Sequence, residues 1–334
     1  MKDVRANITA VGMYVPEKRV TNDALSKVLD TSDEWIRERT GISERRIAEK
    51  GQANSDLSVR AIQDALKGTH HRPEDIDLII VTTVTPDMMF PSTACIIQEK
   101  IGAKNAWGFD LSGACSGFLY GLFTASQFIQ TGVHKKVLVV GSDVMSSIID
   151  FEDRATCILF GDGAGAVLLE PTREEETGIL DTSMGCDGSG GKFLFMPAGG
   201  SQRPTSHETV EKRMHYVHQD GRNVFKFAVR LMCNTSQTLL DRNGLSADQL
   251  SLFVPHQANL RIIKSSMARL KLKEEQVAVN INHYANTTAA TIPICLAEAQ
   301  EKGRLQRKDK VLLVSFGAGF TWGGILLGWG MGPP

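Results

Sequence analysis

Ile76-Asp-Leu-Ile-Ile-Val81 is the stretch that decides the fold. A second apolar run later in the 334-residue chain, Leu250-Ser-Leu-Phe-Val254, has the same kind of sequence before and after it. Both runs follow an Asp-containing turn and lead through a loop into a helical pattern, over residues 92–101 and 259–270. The repeat continues, since positions 76, 115 and 137 recur as 250, 289 and 311, each 174 positions later. Strands that alternate with helices predict mainly parallel sheets covered by helices.

The repeat predicts an α/β protein built from two similar halves, residues 1–175 and 176–334. Loops from both halves are expected to meet at their junction. Between the halves, residues 186–219 are rich in Gly, Pro, Ser and His and show little periodicity. We predict that this segment is a surface excursion that borders a substrate entrance.

Composition and charge restrict the possible functions. With 42% hydrophobic residues, 22% charged residues and a formal net charge of −1, the chain has no global attraction to nucleic acid or anionic lipid. The sequence has no signal-peptide core, and no apolar run of about 18 residues could span a membrane. Its six cysteines are scattered without a CxxC pair, which predicts reduced thiols rather than disulfides or a metal site. We therefore expect a cytoplasmic protein.

Cys115 is the candidate nucleophile. It lies in Leu111-Ser-Gly-Ala-Cys-Ser-Gly-Phe118, between a strand and an apolar helix predicted from about residue 115 to 131. Gly113 and Gly117 bracket the turn and leave room for a substrate at the sulfur. A helix N-terminus favours negative charge, so we expect it to lower the pKa of the thiol towards neutrality. Most free cysteines are small buried hydrophobes, and the other five cysteines are interpreted in that way.

Two polar residues of the second half follow apolar strands. His256 comes directly after the strand at 250–254, and Asn286 lies in His283-Tyr-Ala-Asn-Thr-Thr288. Polar side chains beyond the carboxyl ends of parallel strands build the sites of α/β proteins. Because the Asn286 turn is the counterpart of the Cys115 turn, we expect the three side chains to converge.

A Cys-His-Asn set suits a decarboxylating condensation. The cysteine takes up an acyl group as a thioester. A neutral histidine and the asparagine then donate hydrogen bonds to the thioester carbonyl of a malonyl unit and stabilise the enolate that forms as CO2 leaves. The Cys115 amide and the turn Phe316-Gly-Ala-Gly-Phe320 are expected to supply an oxyanion hole for the acyl-cysteine.

Over essentially its whole length the chain resembles the β-ketoacyl-acyl-carrier-protein synthase III family, the initiating condensing enzymes of type II fatty acid synthesis. The motifs are Thr31-Ser-Asp-Glu-Trp-Ile36, Arg39-Thr-Gly-Ile42, Phe90-Pro-Ser-Thr-Ala-Cys95, Ala114-Cys-Ser-Gly-Phe118, Phe160-Gly-Asp-Gly-Ala-Gly-Ala166, Pro255-His-Gln-Ala-Asn-Leu-Arg-Ile-Ile263, Asn286-Thr-Thr-Ala-Ala290 and Phe316-Gly-Ala-Gly-Phe-Thr-Trp-Gly323. The resemblance implies a thiolase-like fold, with duplicated α/β halves in a layered αβαβα sandwich. It also implies condensation of a short acyl-CoA with malonyl-acyl carrier protein.

The resemblance gives each site residue an expected role. Cys115 is acylated, His256 and Asn286 drive decarboxylation, and the Cys115 and Ala318 amides form the oxyanion hole. The expected CoA contacts are Trp35 and Arg154 on either side of the adenine, Arg39 near the phosphates and Asn259 at the pantetheine arm. The expected carrier-protein contacts are Gln257, Ala258, Asn259, Leu260, Arg261 and Lys226. The acyl pocket is expected at Leu159, and at Phe90 from across a homodimer interface. No cofactor, nucleic-acid partner or membrane partner is implied, since acyl-CoA is a substrate.

Two positions depart from the family pattern. Ala285 stands where many relatives have glycine before the asparagine, and Ala318 where some have glycine in the oxyanion turn. A methyl group leaves the backbone N–H in place, so neither change affects the mechanism unless φ is positive there.

Several alternatives remain open at this stage. A synthase of the same fold could use another starter, for alkylquinolone, ketone or polyketide precursors. A cysteine thioesterase would fit Gly113-x-Cys-x-Gly117, but it would use an acid between the nucleophile and the histidine and would need no Asn286. Gly161-Asp-Gly-Ala-Gly165 could be a nucleotide-binding turn, although it precedes a strand-like run rather than a helix. An inactive carrier-protein scaffold would be expected to have lost the Cys-His-Asn set.

Overall fold

The computed structural model describes residues 4–333. The strands are β1 Arg5–Tyr14, β2 Arg19–Thr21, β3 Glu44–Arg46, β4 Leu78–Thr82, β5 Trp107–Leu111, β6 Val137–Asp143, β7 Gly163–Thr172, β8 Gly178–Cys186, β9 Leu194–Phe195, β10 His218–Gln219, β11 Leu252–Pro255, β12 Lys310–Gly317 and β13 Thr321–Gly328. The α-helices are α1 Asn22–Ser26, α2 Asp33–Thr40, α3 Asn54–Leu66, α4 Thr93–Ile101, α5 Gly117–Gln130, α6 Arg154–Cys157, α7 His207–Glu211, α8 Gly221–Arg242, α9 Leu260–Leu270, α10 Ile281–Tyr284 and α11 Thr291–Glu301.

The duplication extends to the register of the strands. One sheet has the order β1-β7-β6-β4-β5 and the other the order β11-β12-β13-β8. In the first sheet Leu78 of β4 pairs with Val137 of β6, and in the second Leu252 of β11 pairs with Val311 of β12, both in parallel. The members of the second pair lie 174 positions after those of the first, so the predicted repeat is confirmed.

Both sheets are mixed, although the sequence pattern predicted mainly parallel pairing. Parallel pairs are confined to β4–β5, β4–β6 and β11–β12. Strands β7 and β13 run antiparallel to β6 and β12, because in each case the chain returns from the carboxyl edge of the sheet without crossing to the opposite edge. The chain passes from the first sheet to the second between β7 and β8, and the division into domains 1–175 and 176–334 stays a prediction.

Helices lie between the two sheets and on their outer faces. The apolar helices α5 and α11 are buried between the sheets, where Phe118 and Leu296 are fully enclosed. Helices α3 and α4 cover the outer face of the first sheet, and α8 and α9 cover that of the second. Side chains alternate along the strands, so that Ile80 packs with α5 while Ile79 packs with α3. This arrangement is the predicted αβαβα sandwich.

Three further features concern residues 4–333 as a whole. No helix in this range is both long enough and apolar enough to cross a bilayer. In the same range no three His, Cys, Asp or Glu side chains form a group that could hold a metal ion. The six cysteines lie in this range and are unpaired.

Candidate active site

Cys115 lies in a short 3-10 turn, Ala114–Ser116, between β5 and α5. Ala114 has a φ of 47°, the left-handed conformation that turns the chain sharply before the cysteine. From the second half of the chain, the Ser315 hydroxyl donates to the Cys115 carbonyl at 2.7 Å. The predicted strand-turn-helix setting is therefore present, and the other half of the molecule fixes it.

The thiol of Cys115 is 6% exposed, and its pKa differs from the expected one. Burial, followed by the negative charge of Asp143, raises the pKa of Cys115 from the usual 9.0 to about 12. At 1.36 kcal/mol per pKa unit this rise corresponds to about 4 kcal/mol, whereas a helix N-terminus contributes about 0.3–2 kcal/mol. The predicted lowering of the pKa is wrong, because burial outweighs the helix. Burial therefore favours the protonated form of the Cys115 thiol.

His256 follows β11 and is 1% exposed. Its Nδ1 lies 2.6 Å from the Thr291 hydroxyl, and its Nε2 has no hydrogen-bond partner among the described residues. Burial lowers the pKa of His256 to about 3, so the ring is neutral at physiological pH. When the Thr291 hydroxyl donates to Nδ1, the single ring proton lies on Nε2, which can then donate to a ligand.

Asn286 lies in the loop between α10 and α11 and is 7% exposed. Its backbone N–H donates to the Leu159 carbonyl at 2.9 Å, which ties the loop to the first half of the chain. The backbone N–H of Thr288 donates to the side-chain oxygen Oδ1 at 2.9 Å. Because the amide oxygen has this partner, the Nδ2 group with its two N–H donors is the end left for a ligand.

Ala285, directly before Asn286, has a φ of 56° and a ψ of −155°. This region is essentially restricted to glycine, and a residue with a Cβ held there stores about 1–3 kcal/mol of strain. The φ of Ala285 is therefore positive, which is the condition under which replacing glycine by alanine at this position has an effect. At Ala318, in the oxyanion turn, φ is not positive, so the second departure from the family pattern carries no such strain.

A cavity of about 480 Å³ brings Cys115, His256 and Asn286 into one wall. The other predicted site residues in that wall are Trp35, Arg39, Leu159, Ala258, Asn259 and Ala318. Gly317 lies so close to the nucleophile that an added Cβ would be 2.8 Å from the Cys115 nitrogen. The two predicted oxyanion donors therefore belong to adjacent backbone segments. Leu194, Met196 and Val217 also line the cavity, which confirms that the 186–219 excursion borders it.

Gln257 is a correction to the predicted carrier-protein contacts. Its side chain is fully buried and donates to the carbonyls of Pro255 and Ala278 at 2.7 and 3.1 Å. Its amide oxygen accepts from the backbone N–H of Asn280 at 3.1 Å. All of its contacts are internal, so it holds the loop after β11 in place and offers nothing to a partner protein.

Besides Gln257 and Arg154, four predicted contacts lie outside the cavity wall. Lys226 on α8 and Arg261 on α9 are exposed, and the Arg261 guanidinium lies 5.4 Å from the ring centroid of Phe225, a residue of the cavity wall. These two cations therefore stand at its rim, while Leu260 beside them is half-buried. Phe90 is 84% exposed and lies away from the cavity of its own chain. The expected role of Phe90 therefore requires a second copy.

Trp35 and Arg154 are stacked on each other at the mouth of the cavity. The Arg154 guanidinium lies 4.9 Å from the centroid of the indole and donates to the Asp30 carbonyl at 2.7 Å. A ring between them would need two contacts of about 3.5 Å each, which exceeds this separation. For the predicted adenine sandwich to form, Arg154 must move off the indole.

Asp143 and Thr291 are site residues that the sequence analysis missed. A signal was available for Asp143, because it follows the apolar run at 137–140 as a polar residue at the carboxyl end of a parallel strand. Thr291 had no such signal, since its contact with His256 joins residues 35 positions apart.

The geometry also bears on two of the alternatives. The ring of His256 contacts a threonine hydroxyl where a hydrolase triad would have a carboxylate. The turn at Gly161 opens strand β7, whereas a dinucleotide fingerprint opens a helix. Neither the hydrolase nor the nucleotide-binding interpretation fits these contacts.

Comparison with known proteins gives a consistent result. The family profile described as 3-oxoacyl-[acyl-carrier-protein] synthase III matches residues 109–188, and the profile of its C-terminal part matches residues 240–329. The chain is 54% identical to the β-ketoacyl-[acyl-carrier-protein] synthase III of Solibacter usitatus, over 97% of this chain and 99% of the relative. The solved synthases III of Thermus thermophilus and Aquifex aeolicus superpose with TM-scores of 0.90 and 0.89 at 43% and 42% identity. The first covers 97% of this chain and 99% of its own, and the second 97% and 100%.

Proposed function

Since the chain belongs to the 3-oxoacyl-[acyl-carrier-protein] synthase III family, we propose that it condenses a short acyl-CoA with malonyl-acyl carrier protein. The products are 3-oxoacyl-acyl carrier protein, CO2 and CoA, and the reaction initiates type II fatty acid synthesis. The main support for the proposal is that Cys115, a neutral His256 and Asn286 line one cavity, and that the amide nitrogen of Asn286 is left to donate to a ligand.

In the first half-reaction the Cys115 sulfur attacks the acyl-CoA carbonyl. A carbon–sulfur bond forms to Cys115 as the bond to CoA breaks, and the thiol proton ends on the CoA sulfur. The amides of Cys115 and Ala318 donate to the carbonyl oxygen as it gains negative charge. His256 is neutral before and after this step, which suits a ring whose pKa burial lowers to about 3.

In the second half-reaction the malonyl group loses CO2. The carbon–carbon bond breaks, and its electron pair moves to the thioester carbonyl, which becomes an enolate. His256 Nε2–H and Asn286 Nδ2–H donate to this oxygen, and such donors are worth more in a buried cavity than in water. The carbanion attacks the acyl-Cys115 carbonyl, and the sulfur leaves as a thiolate. Because the pKa of Cys115 is raised to about 12, the thiolate takes a proton from water and the resting thiol is restored.

Substrate binding is assigned to the cavity wall and its rim. Trp35 and Arg154 would stack on the adenine once they separate, with Arg39 at the phosphates. Asn259 caps α9 through Oδ1 and donates to the Arg39 carbonyl at 3.1 Å, so its remaining amide proton is the one left for pantetheine. Arg261 and Lys226, with Ala258 and Leu260 beside Arg261, would meet an acidic carrier protein.

We also propose a homodimer built on strand β5. This strand is an edge of the first sheet, so its outer backbone groups have no strand neighbour within residues 4–333. Trp107 on this strand is 49% exposed, and Met89 and Phe90 are 82% and 84% exposed. An exposed apolar edge of this kind favours pairing with a second copy. Sedimentation equilibrium should give twice the chain mass, and a monomer at assay concentrations would remove the basis for Phe90 closing a partner's acyl pocket.

The cytoplasm is the proposed location. The support is chemical, because six unpaired cysteines are typical of proteins kept in a reducing compartment. Fractionation of the source cells would test this proposal.

The reaction can be tested in two stages. The protein is incubated with acetyl-CoA, and intact and peptide mass spectrometry should locate an acetyl thioester on Cys115 that is absent from Cys115→Ser. Malonyl-acyl carrier protein should then discharge it as acetoacetyl-acyl carrier protein. Labelling only by branched or longer acyl-CoAs would change the starter and keep the mechanism. Labelling by none of them, in folded protein, would refute the condensing activity.

A further inference from the structure

Asp143 is a fully buried carboxylate at the end of β6 that the reaction described above does not use. Its two oxygens accept from the loop after β4 and from the loop after Asn286. The donors to Oδ1 are Thr83 Oγ1, Val84 N and Thr85 Oγ1 at 2.9 Å and Thr85 N at 3.2 Å; those to Oδ2 are Thr288 Oγ1 and Ala289 N, the latter at 3.3 Å. Each donor is a neutral group, so the carboxylate is held by hydrogen bonds and not by an ion pair.

Thr288 connects this carboxylate to Asn286. Its hydroxyl donates to Asp143, and its backbone N–H donates to the Asn286 oxygen at 2.9 Å. Thr288 has a φ of 50°, an unfavourable conformation for a β-branched residue, which persists only where the surroundings hold it. The Thr288 hydroxyl also lies 2.9 Å from the adjacent Thr287 carbonyl, and the Asp143 contact is the one that joins this side chain to β6.

We propose that Asp143 is a positioning residue, which fixes Thr288 and through it turns the donor end of the Asn286 amide towards the malonyl carbonyl. The inference rests on the proposed function and deepens it, since it names the group outside the Cys-His-Asn set on which decarboxylation depends. Asp143 touches neither substrate nor reacting atoms in this account. It acts by joining a strand of the first half to the Asn286 loop of the second.

The packing leaves the loop no other position. A Cβ added to Gly141, two residues before Asp143, would lie 2.3 Å from the Ala289 carbonyl, so the loop rests directly on the end of β6. The other carboxylate oxygen fixes Val84, which lines the cavity. One side chain therefore sets the distance between two parts of the cavity wall.

The arrangement needs a carboxylate and not an amide. Backbone N–H groups face both oxygens of Asp143, from Val84 and Thr85 on one side and from Ala289 on the other. An asparagine would direct its NH2 group at one of these donors and lose that contact. Asp143→Asn keeps the size of the side chain and removes the fit, which makes it the informative variant.

The Cys115 thiol provides a second readout, which reports whether Asp143 carries its negative charge in the folded protein. The titratable groups near it are His256, which lies in the same cavity wall, and Asp143, whose negative charge raises the pKa of the thiol after burial. Burial raises the pKa of Asp143 itself, and the hydrogen bonds that its carboxylate accepts oppose that rise. Loss of the carboxylate charge should therefore shift the pH profile of Cys115 alkylation to lower pH.

The test compares Asp143→Asn with Asp162→Asn. Asp162 is also fully buried, and its carboxylate accepts from the Ala48 and Ser146 backbone N–H groups, both at 2.8 Å. The backbone of its neighbour Gly161 donates to the Asn286 carbonyl, but among the described residues no hydrogen bond joins the Asp162 side chain to the Asn286 loop. We expect Asp143→Asn to self-acylate, to decarboxylate malonyl-acyl carrier protein about 10²-fold more slowly, as for a displacement of about 1 Å in a reacting group, and to shift the alkylation profile. Asp162→Asn should show neither change.

Unchanged decarboxylation in folded Asp143→Asn, or equal losses in both variants, would overturn the inference. If Asp143→Asn does not fold, Thr288→Val and Thr288→Ser decide the question. The serine keeps the hydroxyl and should retain decarboxylation, while the valine should lose it, and equal rates would refute the role of Asp143. A wild-type protein that neither acylates nor decarboxylates would instead refute the proposed function itself.

Discussion

Thr291→Val tests how the neutral ring of His256 is made a donor. Threonine and valine have nearly the same shape, so the change removes the hydroxyl that lies 2.6 Å from Nδ1 and little else. The same hydroxyl lies 3.0 Å from the Thr288 carbonyl, which can only accept, so the proposed tautomer requires the single hydroxyl proton to go to Nδ1 rather than to that carbonyl. Without it, nothing directs the single ring proton to Nε2.

The magnitude follows from the burial of the ring. His256 is 1% exposed, so water cannot replace the lost partner, and an unsatisfied buried group costs about 1–3 kcal/mol. If this cost appears in the transition state for decarboxylation, the rate falls by about 5- to 150-fold. Acylation of Cys115 should be largely unchanged, because backbone amides serve that carbonyl.

The assay follows loss of CO2 from malonyl-acyl carrier protein in single-turnover mode, next to the rate of Cys115 acetylation. Thr291→Ser is the matched control and should keep both activities. Nitrogen NMR of the wild-type histidine should place the proton on Nε2. The reasoning fails if Thr291→Val decarboxylates as fast as wild type, or if the wild-type proton lies on Nδ1.

Three other predictions concern the same loop ends. Asn286→Ala should still self-acylate but decarboxylate about 10²- to 10³-fold more slowly, and equal loss of both half-reactions would contradict the division of roles. Ala285→Gly should raise the free energy of unfolding by about 0.5 kcal/mol. The change relieves about 2 kcal/mol of backbone strain, and it costs about 0.7 kcal/mol through the greater flexibility of glycine in the unfolded chain and about 0.8 kcal/mol for the lost burial of a methyl group. A clear drop in Tm would count against this prediction. Burial lowers the pKa of His256 in the folded protein to about 3, below its usual 6.5. As pH falls, the unfolded chain therefore binds this proton before the folded protein does, and the free energy of unfolding should decrease from about pH 6.5 towards pH 3. In His256→Gln this part of the slope should disappear, and an unchanged pH dependence would show that the ring is not the source.

The fold and the three central side chains were accessible from the sequence because they depend on local pattern. The apolar runs at 76–81 and 250–254 and the glycine-bracketed turn at Cys115 specify strand ends without any knowledge of packing. Parallel strands then bring those ends to one edge of a sheet. The convergence of Cys115, His256 and Asn286 follows from that geometry.

What depends on packing between distant segments was not accessible. The pKa of Cys115 is set by enclosure and by Asp143, and neither is a property of the turn itself. Gln257 sits inside a motif that the resemblance assigns to partner binding, yet its neighbours turn it inward. The sequence showed that alanine replaces glycine at position 285, but the resulting strain depends on a positive φ, and the sequence does not give the backbone angle.

The protonated state of Cys115 also affects how the protein withstands oxidants. Peroxide attacks thiolates, so a buried thiol with a pKa of about 12 is a poor target for conversion to sulfenic acid. Cys95 and Cys186 are exposed and would be modified first. The proposed nucleophile is therefore better protected from redox damage than the two exposed cysteines, and electrophilic inhibitors selected for reactivity with thiolates would label the surface before they reach the cavity.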